Sequence, residues 1–291
     1  MPYYRFFALP SLACFFPDTF NRVPPIMLPY PQIDPVLLHL GPLQVRWYGL
    51  MYVLGFIASY QLVRHQIKRY NLTLLAKHFE NLNLVLILSL VLGARLGYVL
   101  FYNPAYYLAN PQDILATWQG GMSFHGALVG MLIGGLIFCR VTGLPFWQNA
   151  DVYIITTPIG LGLGRIGNFI NGELYGRMSD VPWAMIFPAG GPIPRHPSQL
   201  YEAFLEGVLL FSLLWLLKNR YWQQRWPTGS LLALFLLFYG IFRTVVELFR
   251  QPDAQLGFLF NMFTMGQLLS SLMITTGLII LLLRRKSTGP V

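Results

Sequence analysis

The sequence predicts an all-α, polytopic integral membrane protein with about seven transmembrane helices. Three observations predict it. Of 291 residues, 55% are hydrophobic and only 11% charged, whereas an ordinary soluble domain is about a quarter charged. Seven apolar stretches approach the roughly 20 residues needed to cross about 30 Å of hydrocarbon. The basic residues between those stretches alternate from one connection to the next. The composition excludes a disordered chain and argues against a soluble enzyme. The net charge of +9 then reports membrane orientation and calls for no nucleic-acid partner.

The first 26 residues hold Pro2, Pro10, Pro17, Pro24 and Pro25, and their apolar pieces are too short to span. They lack the h-region and small-residue cleavage site of a signal peptide. Ser11-Leu12-Ala13-Cys14 only faintly resembles a lipoprotein cleavage site, because Ser11 stands where an apolar residue is usual. Met27 opens a more regular segment. The expectation is that residues 1–26 are a non-native or disordered extension, that Met27 is the natural start, and that 27–291 form a single transmembrane domain.

The apolar stretches lie near 47–63, 82–102, 122–139, 150–170, 200–217, 229–249 and 266–283. The fourth is the least regular, interrupted by Pro158 and several glycines. Such breaks are tolerated where protein or a cavity covers the backbone. Arg64, Lys68, Arg69 and Lys77 follow the first stretch, Arg140 the third, and Lys218, Arg220 and Arg225 the fifth. Arg284, Arg285 and Lys286 follow the seventh, whereas the connection at 103–121 holds no Lys or Arg, the fourth holds Arg177 and Arg195, and the sixth holds Arg250. This alternation predicts a cytoplasmic C-terminus and an outer-side region around 171–199.

With that orientation, Tyr48, His125 and Glu202 fall near the outer ends of the first, third and fifth spans. Arg95, Arg165, Arg243 and Glu247 fall in the outer half of the even spans. Intramembrane charge is costly and normally faces protein or a wet cavity, so a polar cavity in the outer half of the membrane is expected. Snorkelling and structural ion pairing remain alternatives for any single residue.

Gly162-Leu163-Gly164-Arg165-Ile166-Gly167 spells G-x-G-x-x-G, but within an apolar helix and without a βαβ context it reads as close helix packing. Gly126, Gly130 and Gly134 read the same way. The first run continues to Asn168, Asn171-Gly172 and Glu173. Arg165 and Asn168, three apart, share a helical face, and an arginine fork suits phosphate. Glu173 is placed to hold Arg165 or a substrate hydroxyl. Tyr239, Arg243, Glu247 and Arg250 recur every three or four residues as one polar stripe. Two arginines on different spans at matching depth make a candidate phosphate clamp. His125 is a candidate base, since imidazole titrates near neutrality. His196, in the fourth connection, is a candidate lid or headgroup contact; His39, His65 and His78 receive no role. Cys14 and Cys139 are too few for a disulfide framework or zinc site. No G-x-S-x-G, H-E-x-x-H or carboxylate metal cluster is present, which favours transfer to an acceptor that brings its own nucleophile.

Residues 46–52, 120–126, 164–173, 195–202 and 243–254 resemble the bacterial prolipoprotein diacylglyceryl transferases. Gly164-Arg165-Ile166-Gly167-Asn168-Phe169-Ile170-Asn171-Gly172-Glu173 is the most specific of these segments, and the resemblance runs from about Leu28 to the C-terminal tail. It implies an inner-membrane enzyme of lipoprotein biosynthesis, acting on phosphatidylglycerol and on preprolipoprotein signal peptides with a lipobox cysteine. A thioether forms and glycerol phosphate leaves, with no metal or soluble cofactor. It further implies that Arg165 and Arg243 act on the phosphate and that His125 is the base. Tyr48, Asn168, Glu173 and Gly176 look like substrate-site positions, and Tyr102, Tyr239, Glu247 and Arg250 like supporting ones. A transporter of an anionic lipid or solute and a different phosphatidylglycerol-using transferase stay open as alternatives. The absence of an internal repeat weighs against the transporter.

Overall fold

A computed structural model describes residues 28–41, 43–117, 120–251, 258–259 and 263–284. The expectation for residues 1–26 and the basic residues Arg285 and Lys286 lie outside the described residues. The order is β1 (Val36–Leu40), β2 (Leu43–Arg46), α1 (Trp47–Arg69), α2 (Thr73–Phe101), α3 (Pro104–Ala109), α4 (Phe124–Thr142), α5 (Phe146–Ile154), α6 (Thr157–Ile170), α7 (Ser198–Glu202), a π-helical stretch (Ala203–Leu209), α8 (Leu210–Gln223), α9 (Ser230–Glu247), β3 (Phe258–Leu259), β4 (Phe263–Thr264) and α10 (Met265–Arg284). The segment Ser198–Gln223 runs as one 26-residue helical rod.

Among the described residues, five helices are long and apolar enough to cross a membrane: Thr73–Phe101, Phe124–Thr142, Ser198–Gln223, Ser230–Glu247 and Met265–Arg284. Their outer faces expose Leu84, Leu88, Leu92, Val129, Leu132 and Ile133, a surface that suits lipid rather than water. The chain is a multi-pass membrane protein. The other two predicted spans are helical but differ in kind. α1 has the length, yet Tyr48, Tyr52, Tyr60, Gln61 and Arg64 dilute its hydropathy. The fourth span is two helices, α5 and α6, broken at Ile155 and Thr156, with Pro158 in the first turn of α6, where its missing N–H costs no helical bond.

Two departures from the sequence expectation are local. The fold is not purely α: β1 and β2 form an antiparallel hairpin, turned at Gly41 with φ +62°, and β3 pairs with β4. A search for long apolar runs passes over such short strands. The basic residues after the first span are not in a loop. Arg64, Lys68 and Arg69 extend α1, Lys77 is on α2, and only residues 70–72 connect the two helices.

Glycines set the helix contacts. α2 meets α4 where a Cβ on Gly97 would stand 2.7 Å from Gly126 Cα. α1 meets α6 at Gly55, whose Cβ would be 3.1 Å from Gly160 Cα. α6 meets the π-helical stretch at Gly162, with Gly207 Cα 3.0 Å from the position of its Cβ. Small residues let backbones approach in this way. Arg95 serves a different end from the one its depth suggested. Its fork donates to four backbone carbonyls, those of Ile114, Asp113, Gly120 and Gly121, at 2.6–3.0 Å. It pins residues 113–114 and 120–121 to α2.

Candidate active site

The centre of the site is a cluster of buried charge. Arg165, on α6, directs Nε to Glu202 Oε2 at 2.8 Å. Arg243, on α9, directs Nη1 to the same oxygen at 2.8 Å and Nη2 to Glu247 Oε2 at 2.8 Å, one helical turn along. Glu206 lies one turn beyond Glu202, with Oε1 3.6 Å from Arg243 Nη1 and Oε2 4.0 Å from Arg165 Nε. Glu202 and Glu206 are fully buried, and Arg165 keeps 20% of its side chain exposed. Three elements thus deliver two guanidiniums and three carboxylates to one place.

The sequence explains the convergence. The Gly162–Gly207 contact brings α6 against the π-helical stretch three residues before Arg165. At the end of α9, Gly266 faces Glu247, whose Cδ would lie 2.7 Å from a Cβ there. Arg165 points Nε at Glu202 and keeps part of its side chain exposed. A planar guanidinium fork can grip a phosphate bidentately.

A second set borders the first. Asn168 Nδ2 and Asn171 Nδ2 both donate to Glu173 Oε1, at 2.9 and 3.1 Å. Glu173 is therefore not the partner of Arg165, as the sequence allowed; Glu202 is. Gln199 Nε2 donates to the Glu173 carbonyl at 2.7 Å. The Tyr48 ring packs on Gly167, where a Cβ would meet its Cδ2 at 2.9 Å. The Tyr48 and Tyr52 hydroxyls are 3.1 Å apart.

The 171–199 segment folds back onto the end of α9. Gly176 N–H donates to the His196 carbonyl and Arg177 N–H to that of Phe249, each at 2.8 Å. Gly176 pairs with Arg250 in an antiparallel bridge. A Cβ at Gly176 would lie 2.6 Å from the Phe249 carbonyl oxygen, so only glycine fits there. Arg177 Nε donates to the Arg250 carbonyl at 2.9 Å. Trp183 Nε1–H donates to the Tyr201 hydroxyl at 2.6 Å, which stands 3.0 Å from His196 Nδ1. Which of Tyr201 and His196 donates follows the imidazole tautomer. Burial pushes the His196 pKa below the ordinary histidine value.

Of the residues singled out from sequence, the structure joins Arg165, Arg243 and Glu247 directly, and Asn168 with Glu173. Tyr239 is one turn before Arg243 and stacks on Phe235 at 5.6 Å. Two residues stand apart. His125 is exposed at the start of α4, a helix that packs on α2 and α5. Its ring contact is with Phe124 at 5.8 Å, and among the described residues no hydrogen bond or ion pair links it to the arginines. Tyr102, 63% exposed, caps α2 and stacks on Tyr98 at 5.2 Å. Sequence reasoning read Glu202 only by its depth and missed Glu206. The signal was two acids four residues apart in an apolar helix.

Comparison with known proteins converges on one description. The family model described as prolipoprotein diacylglyceryl transferase matches residues 35–283. A protein of Desulfotalea psychrophila named phosphatidylglycerol--prolipoprotein diacylglyceryl transferase is 61% identical over 250 residues, covering 85% of this chain and 92% of its own. Proteins of the same name from Geobacter sulfurreducens and Pseudomonas aeruginosa are 52% and 50% identical, covering 90% and 91% of this chain and 99% of their own.

Proposed function

The chain belongs to the prolipoprotein diacylglyceryl transferase family, and on that premise we propose that its arginine–glutamate cluster is where phosphatidylglycerol gives up its diacylglyceryl group. The chain is a transferase of lipoprotein maturation. In this reading the acceptor is the lipobox cysteine thiol of a preprolipoprotein. Sulfur attacks the glyceryl carbon that carries the phosphate, a thioether forms, and glycerol phosphate leaves.

One observation carries the reading. Guanidiniums from α6 and α9 converge on a single carboxylate oxygen, Glu202 Oε2, each at 2.8 Å. That geometry presents two fixed cations to one small anionic group. The departing phosphate gains negative charge as its C–O bond breaks, so cations held in place stabilise the transition state more than the ground state. Glu202 and Glu247 orient the two forks. Tyr48, Asn168, Glu173 and Gly176 line the substrate side, Tyr239 and Arg250 support it, and Tyr102, apart from the cluster, keeps only the supporting role that the family resemblance implies. No metal or soluble cofactor is assigned in this scheme.

The setting follows from the same chemistry. Phosphatidylglycerol and a signal peptide both reside in the bilayer. The site is a polar cavity in the outer half of the bacterial inner membrane, the C-terminus is cytoplasmic, and the 171–199 segment is periplasmic. Residues 27–291 act as one catalytic domain. The test is to mix purified protein with phosphatidylglycerol and a lipobox peptide and follow the peptide's mass. A diacylglyceryl gain with glycerol phosphate release, absent with a serine-for-cysteine peptide, is expected. Folded protein that leaves the cysteine peptide unmodified refutes the reading and directs attention to lipid transport.

A further inference from the structure

We propose that Glu206 is the proton acceptor for the attacking thiol, the role that the sequence put forward for His125. The proposal rests on the transferase reading above and adds the residue that completes its proton balance.

Glu206 is fully buried, and neither of its carboxyl oxygens receives a hydrogen bond from a described residue. A buried polar group without a partner is costly and calls for an explanation. Its neighbours do not supply one. Glu202 and Glu247 each approach a guanidinium at 2.8 Å, while Glu206 stands back at 3.6 and 4.0 Å. Two carboxylates hold the arginines; the third keeps its lone pairs for another donor. Glu202 Oε1 and Glu247 Oε2 also lack a hydrogen-bond donor, but protonating Glu202 or Glu247 would weaken an ion pair held at 2.8 Å. Protonating Glu206 breaks no hydrogen bond in the structure.

The backbone points the same way. Glu206 lies within the π-helical stretch Ala203–Leu209. Such turns are rare and are found frequently at functional sites. The next residue, Gly207, is the contact with α6, so the widened turn holds Glu206 level with the arginines. His125, by contrast, is exposed on α4, and among the described residues its ring contact is with Phe124.

The step balances as follows. The thiol proton passes to the Glu206 carboxylate as the sulfur electron pair forms the C–S bond to the glyceryl methylene. The C–O bond to phosphate breaks, and its electron pair stays on the phosphate oxygen, facing Arg165 and Arg243. Glu206 then returns the proton to the departing phosphomonoester and is again a carboxylate.

The test compares a cysteine lipobox peptide with its selenocysteine counterpart, whose selenol is already ionised at neutral pH. General-base catalysis is worth about 10²–10⁴-fold. Glu206→Gln is expected to lower kcat by about 100-fold or more on the cysteine peptide and to remain within about tenfold of wild type on the selenocysteine peptide. Unchanged activity on cysteine, or equal loss on both peptides, overturns the proposal. If Glu206→Gln does not fold, Glu206→Asp is run on the same pair, and any loss that is not selective for cysteine overturns it. His125→Gln is expected to change both peptides alike; selective rescue of that variant by selenium would return the role to His125. Wild-type protein inert on both peptides would bring down the transferase reading itself, and the proton assignment with it.

Discussion

Glu202 shows how much one side chain can decide. Its Oε2 is the meeting point of Arg165 and Arg243, and it has no solvent to replace either partner. Removing one member of a buried ion pair typically costs about 3–5 kcal/mol because the other charge is left uncompensated. Glu202→Ala is therefore expected to lower thermal stability in detergent and to abolish transfer. A melting temperature equal to wild type would show that the two arginines do not depend on it. His196 offers a pH test outside the spans. Burial lowers its pKa, so the fold favours the neutral ring. Its contribution to stability is present above the ordinary histidine value of about 6.5 and is lost as pH falls through the lowered folded value. Protection of the 171–199 backbone, taken as exchange relative to the intrinsic rate at each pH, should weaken as pH falls below about 6.5, and His196→Asn should remove that dependence. An identical pH response in the variant would assign the effect to another group.

Elements carry the site through their crossings. The α6 contact with the π-helical stretch needs glycine on both sides, since a Cβ on Gly207 would stand 2.7 Å from Gly162 Cα. Gly207→Ala is expected to destabilise by about 1–3 kcal/mol, the usual cost of overpacking, and to reduce transfer by pushing Arg165 away from Glu202. Chemical denaturation together with the transfer rate checks this; full activity in Gly207→Ala would mean that the crossing tolerates displacement. The same elements show what the sequence could reveal. The long apolar runs at 82–102, 122–139, 229–249 and 266–283 predict α2, α4, α9 and α10, because twenty apolar residues leave few other solutions. Pro158 marked the break between α5 and α6. The β1–β2 hairpin escaped because its alternation is short. The π-helical stretch escaped because no composition marks a widened turn. At the site, Arg165, Arg243 and Glu247 were legible as charges stranded in apolar helices. Their true partner was not: which carboxylate reaches Arg165 depends on the crossing of α6 over Gly207, and sequence proximity favoured Glu173 instead.

At the scale of the whole molecule, the basic residues sort the helix ends into two classes, and the proposed orientation follows from them. A membrane-impermeant thiol reagent applied to intact cells should label Asp180→Cys and leave Arg220→Cys unlabelled. The reverse pattern would invert the protein and place the arginine cluster in the wrong leaflet for the proposed reaction. In the proposed reaction two guanidiniums, fixed by buried carboxylates, stabilise the phosphate as it leaves. The most direct measurement is the transfer rate of Arg165→Lys and Arg243→Lys with saturating phosphatidylglycerol and a cysteine lipobox peptide. Lysine keeps the charge but loses the planar fork. Both variants are expected to fold and to lose about 100-fold or more in kcat, as when a single oxyanion donor is removed. Rates within a few-fold of wild type in both variants would contradict that role and place the departing phosphate elsewhere in the protein.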